Sequence, residues 1–400
     1  MRIALVSQEY PPVAHGGIGS QTYLKAHGLV SLGHDVHVIS SSQDGKRLDY
    51  FDGMIQMTRI PHVDDRMPIH TDPVRWITYS VEVAKTLTDL NSRTPFDIVD
   101  FPEWGGEGYI FLLNQTEWDR VNTVIHLHGP LVMFAHTMDW PEIGSEFYRV
   151  GTQMEGTCLR LADAVFSSSK CSANWCVRHY GVVREQIPIL HMGVDTDLFY
   201  PLDLPKESRP TIVFVGKIER NKGVDLLVEA ACELASYYPD LQVWILGRGN
   251  ADLADELRAK TLARGLPELL QLPGYIAREK LPLWICRAHV FAAPSVYEGG
   301  PGLVYLEAMA CGLPVIACEG SGAAEIVIPE ENGFLVPPGG DMNMLVKTLR
   351  GLLDDPERRE IMGARAREYV VKEADSKICL KRLETFYCDV ISGKTYSCRR

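Results

Sequence analysis

Two glutamates and a glycine-rich turn stand close together in the second half of the chain. Glu298 precedes the turn at 299–302, and Glu307 lies in a predicted helix that Pro301 should open and Gly312 should close. A carboxylate can accept hydrogen bonds from sugar hydroxyls, and the N–H groups at a helix start attract an anion. The pattern favours a nucleotide sugar over the alternative of a helix-terminal carboxylate beside an unrelated surface glutamate.

A second group of candidate residues follows the apolar segment 211–215, which we predict to be a buried strand. Lys217 and Lys222 come after it and flank a helix predicted to start near Val224. Two ammonium groups beside a helix N-terminus form a strong pyrophosphate site. Ligands of open α/β sheets bind at the carboxyl ends of the strands, so this position favours phosphate binding over a solvated basic turn.

The glycine-rich loop near the N-terminus is a third candidate. Gly16 and Gly17 lie between a strand predicted at Ile3–Ser7 and a helix predicted at about Ser20–Leu32. Glycines let the backbone approach a ligand closely, and the helix start supplies unpaired N–H groups. Position 22 is threonine, so the spacing departs from the G-x-G-x-x-G dinucleotide motif. A tight turn without a ligand is the alternative here.

Composition excludes several classes of protein. The net charge of −12, from 40 basic and 52 acidic residues, disfavours nucleic acid and anionic membrane surfaces as partners. No run of 18 apolar residues is present, and the N-terminal apolar run is too short for a signal peptide. The ten cysteines form no C-x-x-C pair, which favours buried thiols in a reducing compartment. We therefore expect a cytoplasmic protein without an integral membrane segment.

Alternating strand and helix patterns fill both halves of the chain, as is typical of βαβ units in parallel sheets. A proline-containing polar stretch at 199–210 separates the halves. We predict an α/β protein of two doubly wound, Rossmann-like domains facing across a cleft, followed by a closing helix at about 373–390. The predicted strands are Ile3–Ser7, Val36–Ile39, Asp97–Val99, Val121–Leu127, Ala164–Ser167, 211–215, Leu241–Leu246, Leu269–Leu272 and His289–Ala292.

Several strings along the chain occur together in one known family. They are SQEYPPVAHGGIG, HLHG, GKIERNKGVD, ILGRG and PGY, and above all PSVYEGGPGLVYLEAMACGLPVIA. With them the chain resembles, over nearly its whole length, the retaining glycosyltransferases of GT-B architecture in the "glycosyl transferases group 1" family. The resemblance implies an acceptor-binding domain at 1–204, a nucleotide-sugar-binding domain at 205–372, and a C-terminal helix at about 373–400 that joins the first domain.

The resemblance also implies roles for individual residues. The catalytic group is His128, Lys217, Lys222 and Glu298, with His128 beside the reacting carbon of the donor sugar. His126 is the competing histidine, and we expect it on the other face of the strand, in the core. The residues implied to bind the donor are Gly16, Gly17, Gly216, Gly247, Tyr275, Gly300, Pro301, Gly302, Leu303, Val304 and Glu307.

The chain departs from the family pattern at two places. Lys217 stands where the family usually has arginine. Lysine keeps the positive charge but lacks the planar guanidinium group that makes bidentate contact with phosphate. Eight residues separate Glu298 from Glu307 where the family has seven.

The reaction implied by the family is a transfer that retains the anomeric configuration and needs no metal. A hexose or N-acetylhexosamine leaves a nucleotide diphosphate, with UDP the most frequent in the family, and a leaving phosphate oxygen takes the acceptor proton. The donor is a co-substrate, and we expect no cofactor.

The acceptor is expected to be soluble and neutral or cationic, such as a saccharide, an aminocyclitol or another small molecule. Residues 1–200 carry 15 basic and 24 acidic residues, a net charge of −9 that disfavours anionic acceptors. Glu103 and Glu107 could hold an amine or polyol, with Trp104 as a stacking wall. Ordinary loop residues are the alternative.

Two other functions remain open at this point. A non-catalytic relative that only binds nucleotide sugars would be expected to lose a phosphate lysine or the cleft histidine, yet Lys217, Lys222 and His128 are all present. A sugar-nucleotide 2-epimerase would share the two-domain architecture but lack the EGGPGLVYLEAMACG pattern.

Overall fold

The computed structural model describes residues 1–12, 16–61, 72–339 and 341–394. By its internal contacts the chain divides into two compact units. The first is Met1–Met192 together with the segment from Cys379 onward, and the second is Gly193–Ile378. The sequence prediction divided the chain after residue 204. Residues 193–204 belong to the second unit instead, because Val194 and Phe199 are fully buried in its core.

The first unit is built on a seven-stranded sheet in the order β3-β4-β2-β1-β5-β6-β7. Among the described strands of this unit, only β3 runs antiparallel to its neighbour. The predicted strands of this half are confirmed, with ends shifted by a few residues, and the hairpin of β3 and β4 was not predicted. The strands are β1 (Arg2–Val6), β2 (Asp35–Ser41), β3 (Leu48–Asp52), β4 (Ile55–Ile60), β5 (Ile98–Pro102), β6 (Asn122–Leu127) and β7 (Ala164–Ser167).

Helices cover both faces of this sheet. Along β1, Ala4 and Val6 are buried in the core on one face, and Ile3 and Leu5 in the core on the other. A strand buried on both faces is what a doubly wound parallel sheet requires. The helices are α1 (Gly17–Ser31), α2 (Asp72–Arg93), α3 (Tyr109–Asn114), α4 (Leu131–Met138), α5 (Glu146–Leu161) and α6 (Lys170–Tyr180).

The second unit contains a six-stranded, fully parallel sheet in the order β10-β9-β8-β11-β12-β13. The strand order reverses between β8 and β11, which is the position where doubly wound sheets bind ligands. The strands are β8 (Thr211–Val215), β9 (Gln242–Leu246), β10 (Leu270–Gly274), β11 (Val290–Ala292), β12 (Val315–Cys318) and β13 (Gly333–Val336).

One helix of the second unit starts later than predicted. Pro301 was expected near the first helical position, but the helix begins at Leu303. Gly302 precedes it with a φ of 72°, a left-handed conformation that keeps Pro301 out of the helix. Gly312, with a φ of 76°, ends the helix as predicted. The helices of this unit are α7 (Val224–Leu234), α8 (Ala251–Ala263), α9 (Leu281–Ile285), α10 (Leu303–Ala310), α11 (Met342–Asp354) and α12 (Pro356–Glu373).

The closing helix, α13 (Ser376–Ile391), also differs from its prediction at the start. Glu373 ends α12, and the chain leaves the helical conformation before α13 begins. Phe386 and Tyr387 of α13 are buried in the core of the first unit. Among the helices of the described ranges, none is both long enough and apolar enough to cross a membrane.

Candidate active site

Lys222 and Glu298 form an ion pair at the point where the strand order of the second unit reverses. The Lys222 Nζ lies 2.7 Å from Glu298 Oε1 and donates to the Tyr297 carbonyl at 3.2 Å. Their side chains are 24% and 16% exposed, so solvent reaches both groups only partly. The structure therefore brings together two charged residues that are 76 positions apart in the chain.

A glycine makes this pairing possible. Gly223 precedes α7 with a φ of 72°, and a Cβ there would collide with the Pro294 carbonyl. The Val296 N–H and the Ser295 hydroxyl both donate to the Asn221 carbonyl at 3.0 Å. The loops that follow β8 and β11 are thus joined through their backbones, which fixes where Lys222 can reach.

The glycine turn before α10 packs against the loop that follows β12. The Gly322 N–H donates to the Glu298 carbonyl at 2.7 Å, and a Cβ on Gly322 would collide with the Gly300 carbonyl. A Cβ placed on Gly302 would meet the Tyr305 ring and come within 3.8 Å of Glu298 Oε2. Backbone contacts therefore hold the lengthened turn close to the Glu298 carboxylate.

Glu307 is held by an arginine that the sequence did not identify. Its Oε1 lies 2.7 Å from Arg278 Nη1, and its side chain is almost fully buried. Burial raises the pKa of Glu307 to about 7, and the Arg278 charge opposes that rise. Arg278 follows Gly274 at the end of β10, and the rule that ligands bind at the carboxyl ends of strands could have singled it out.

The other predicted donor residues of the second unit lie at the carboxyl ends of β8, β9 and β10 or at the start of α10. The Gly216 N–H donates to the Leu246 carbonyl at 3.1 Å, and the Gly247 N–H to the Gly274 carbonyl at 2.9 Å. A Cβ on Gly247 would collide with the Gly216 carbonyl, so these backbones need glycine to approach. Lys217 and Tyr275 follow two of these ends and are exposed. Leu303 and Val304 open α10 and are half-buried.

His128 lies directly after β6 in the first unit. Its N–H donates to Glu103 Oε1 at 2.7 Å, and its ring centroid lies 3.9 Å from that of His126. The prediction that His126 points to the other strand face is wrong, because residues two apart share a face. The prediction that His126 is buried in the core is confirmed. Burial and the nearby Lys25 charge lower the pKa of His128 well below its ordinary value.

The three residues predicted to bind the acceptor are largely turned inward. Glu103 Oε1 also accepts from the Gly129 N–H, and burial raises the Glu103 pKa to about 7. Glu107 Oε1 accepts from the Gln8 N–H at 3.0 Å, and burial raises its pKa to about 8. The second carboxylate oxygen of each glutamate is buried without a hydrogen-bond partner among the described residues. Trp104 packs edge-on against neighbouring aromatic rings and stays partly exposed.

A further carboxylate, which the sequence reasoning missed, lies beside the N-terminal glycines. Glu9 follows β1, and a Cβ on Gly16 would lie 2.6 Å from Glu9 Oε2. Gly16 is the residue before α1, while the space around Gly17 is open. The helix end that we predicted to attract a phosphate thus has a carboxylate beside it. Its place at the end of a strand was the available signal.

The structure also bears on metal binding and on the state of the cysteines. Across the described ranges, no three His, Cys, Asp or Glu side chains are grouped so that they could hold a metal ion. The nine cysteines of the described ranges form no disulfide bond, and Cys398 lies outside those ranges.

Two family descriptions match the chain, one in each half. "Glycosyltransferase Family 4" matches residues 15–198, and "Glycosyl transferases group 1" matches residues 202–369. Together they span both the His128 region and the Lys222–Glu298 pair.

Relatives with known activities match over long stretches. The α-maltose-1-phosphate synthase of Mycolicibacterium smegmatis is 28% identical over 93% of this chain and 95% of its own length. A GDP-mannose-dependent α-(1-6)-phosphatidylinositol monomannoside mannosyltransferase of the same organism is 33% identical over 64% of this chain and 72% of its own length.

A solved structure shares the fold. The Anabaena protein HepE, in a complex with UDP-glucose, superposes with a TM-score of 0.74 at 19% identity, covering 97% of this chain and all of that one. Both units of this chain have the parallel, doubly wound sheets of GT-B glycosyltransferases. The chain belongs to the "glycosyl transferases group 1" family and is a nucleotide-sugar glycosyltransferase of GT-B type.

Proposed function

We propose that the protein transfers a hexose or N-acetylhexosamine from a UDP-sugar to a hydroxyl of a soluble acceptor, with retention of configuration and without a metal. The observation that carries this proposal is the half-buried pair of Lys222 and Glu298. An incoming diphosphate would compete for the Lys222 ammonium. The Glu298 carboxylate would then be released to accept from a sugar hydroxyl.

The chemical step follows from where charge develops. As the bond from the anomeric carbon to the phosphate oxygen breaks, negative charge builds on the diphosphate, where Lys217, Lys222 and the N–H groups opening α10 can stabilise it. One such preorganised contact contributes about 10²–10³ in rate. The acceptor oxygen forms the new bond on the same face of the sugar, and its proton passes to the departing phosphate oxygen. No protein nucleophile, metal or cofactor takes part in this scheme.

The nucleoside end of the donor is assigned to Glu307. Its carboxylate is fixed by Arg278 and suits the two ribose hydroxyls. We favour UDP because it is frequent in the family and because HepE is known as a complex with UDP-glucose. GDP is the competing nucleotide, since one relative is GDP-mannose-dependent.

The acceptor side is assigned to the first unit. Glu9, Glu103 and Glu107 follow the carboxyl ends of β1 and β5, and each has a buried carboxylate oxygen without a partner among the described residues. Such oxygens can accept from hydroxyls or a protonated amine, and any of these carboxyls that is ionised would repel phosphate. We therefore propose a neutral polyol or aminocyclitol acceptor. We also propose a cytoplasmic reaction, as the scattered cysteines suggested.

A transfer assay tests the proposal. The protein is incubated with UDP-glucose, UDP-N-acetylglucosamine or GDP-mannose and with a cyclitol, an aminocyclitol, a disaccharide or a sugar phosphate, with and without EDTA. We expect UDP-sugar-dependent transfer to an uncharged or amino acceptor, unaffected by EDTA, with an α-linked product by NMR. A β-linked product or a requirement for metal would contradict the mechanism. Exclusive use of the sugar phosphate would contradict the acceptor assignment, and donor binding without any transfer would favour the non-catalytic relative.

A further inference from the structure

A buried polar network in the first unit takes no part in the function proposed so far. Lys25 of α1 is 3% exposed, and its Nζ lies 2.7 Å from Asp100 Oδ2 and 3.1 Å from His126 Nδ1. The Tyr387 hydroxyl of α13 donates to the same Asp100 oxygen. Burying a lysine ammonium group lowers the stability of the fold unless an opposite charge pairs with it. Asp100 supplies that pairing, which leaves the contact with His126 to be explained.

The contact with Lys25 determines which nitrogen of His126 carries the proton. An ammonium group can only donate, so His126 Nδ1 must accept from it. The proton of the neutral ring is then on Nε2, which lies 2.7 Å from the Ser168 hydroxyl oxygen. The His126 ring also stacks on Phe166, with centroids 4.2 Å apart. Both ring nitrogens and one ring face of His126 are therefore fixed.

His126 in turn contacts His128 through the ring pair at 3.9 Å. The charged and titratable groups around the two rings are Lys25 and Asp100, together with Glu103 at the His128 backbone. Burial lowers the pKa of each ring, and the Lys25 charge lowers both further. His128 Nδ1 is enclosed without a hydrogen-bond partner in the described part of the chain, so the ring depends on this packing for its orientation.

We propose that Lys25 is a positioning residue for His128: through the His126 ring it fixes the orientation of the His128 ring. The catalytic consequence rests on the proposed transfer reaction and on the role that the family resemblance implies for His128, beside the reacting carbon of the donor sugar. A neutral imidazole can accept from a sugar hydroxyl, whereas an imidazolium can only donate and would repel a developing positive charge at the reacting carbon.

NMR of ¹⁵N-histidine tests the network without reference to turnover. In Lys25→Met the Asp100 carboxylate loses its cation, so the double variant K25M/D100N is made as well, because it removes both charges and should fold. We expect the wild-type His126 to carry its proton on Nε2. In the double variant the two tautomers should mix, and the pKa of His128 should rise because the Lys25 charge that lowers it is gone. An unchanged tautomer and titration in K25M/D100N would overturn the proposal.

Kinetics supply the second readout. K25M/D100N should lower kcat roughly 10-fold to 100-fold, leave the donor KM near its native value, and move the acidic limb of the pH profile upward with the His128 titration. Tyr387→Phe is the matched control, since it alters the network but keeps Lys25; it should lower the Tm without moving the pH profile. If the profile moves equally in Tyr387→Phe, a merely structural role is shown and the proposal fails. Native turnover in His128→Ala would contradict the proposed role of His128, while the NMR titration would still decide the effect of Lys25.

Discussion

At the scale of single residues, the two units hold the glutamates of the candidate site differently. Glu298 and Glu307 of the second unit are each paired with a cation, Lys222 and Arg278. Glu107 of the first unit accepts instead from a backbone N–H, and burial raises its pKa to about 8. A group that prefers its neutral form in the folded state makes stability depend on pH in a definite direction.

The free energy of unfolding should fall as the pH rises from about 5 to 8. In this window an unfolded Glu107 is ionised while the folded one keeps its proton, so raising the pH favours unfolding by up to about 1.4 kcal/mol per pH unit for one such group. Glu107→Gln cannot ionise, and its carbonyl still accepts from the Gln8 N–H. We expect a flatter profile of Tm against pH for Glu107→Gln than for the wild type. The exposed Glu142→Gln is the control, and parallel profiles for all three proteins would contradict the burial argument.

The ion pair of Lys222 leads to a prediction about turnover. Lys222→Ala removes a charge that would face the leaving diphosphate, so we expect kcat to fall about 10²-fold or more while the protein stays folded. Lys347→Ala, an exposed lysine of α11 in the same unit, should keep native turnover. Steady-state kinetics measure kcat for each variant, and a circular dichroism spectrum shows whether each variant is folded. A folded Lys222→Ala protein with near-native kcat would remove Lys222 from the mechanism.

At the scale of elements, glycines decide where loops can meet. Gly223 and Gly265 have nearly the same left-handed φ, 72° and 73°. A Cβ on Gly223 would collide with the Pro294 carbonyl, while a Cβ on Gly265 meets open space. Comparing an alanine substitution at Gly223 with one at Gly265 therefore separates two effects: the strain of a left-handed residue and the loss of a contact between two loops.

Gly223→Ala should be far more damaging than Gly265→Ala. Both replacements impose backbone strain of about 1 kcal/mol, but only Gly223→Ala must also push the loop after β11 away from α7. We expect Gly223→Ala to lower the Tm clearly more and to weaken binding of a nucleotide diphosphate, because Lys222 is displaced. Equal effects in thermal melts and binding titrations would show that the contact with Pro294 does not matter.

Sequence patterns predicted elements better than the details of the site. Short apolar runs between turn residues predicted nine of the thirteen strands in the described ranges, because a parallel sheet buried on both faces needs continuous apolar segments. The strands β3, β4, β12 and β13 were not predicted. The start of α10 was placed wrongly, since proline often opens helices and the left-handed Gly302 cannot be read from residue type. The roles of Arg278, Glu9 and Lys25 were missed because each depends on a residue elsewhere in the chain. Glu307 is 29 positions from Arg278, Gly16 is 7 from Glu9, and Asp100 is 75 from Lys25.

At the scale of the whole molecule, donor binding and acceptor binding are proposed to lie in different units. The second unit carries the residues proposed to hold the donor, and the first carries His128 and the carboxylates proposed to hold the acceptor. The last helix, α13, places Phe386 and Tyr387 in the core of the first unit, so the two ends of the chain stabilise one unit. Donor binding should therefore depend chiefly on residues of the second unit.

Binding of nucleoside diphosphates tests this central claim most directly. The wild type, Glu307→Ala and Glu103→Gln are titrated with UDP, GDP, ADP and dTDP in a thermal-shift assay. A ligand at 100 times its Kd stabilises the protein by about 2.7 kcal/mol, which is readily measured. We predict that UDP raises the Tm of the wild type and of Glu103→Gln, and that Glu307→Ala loses this response. No response of the wild type to any of the four, or an unchanged UDP response in Glu307→Ala, would contradict the proposed donor site.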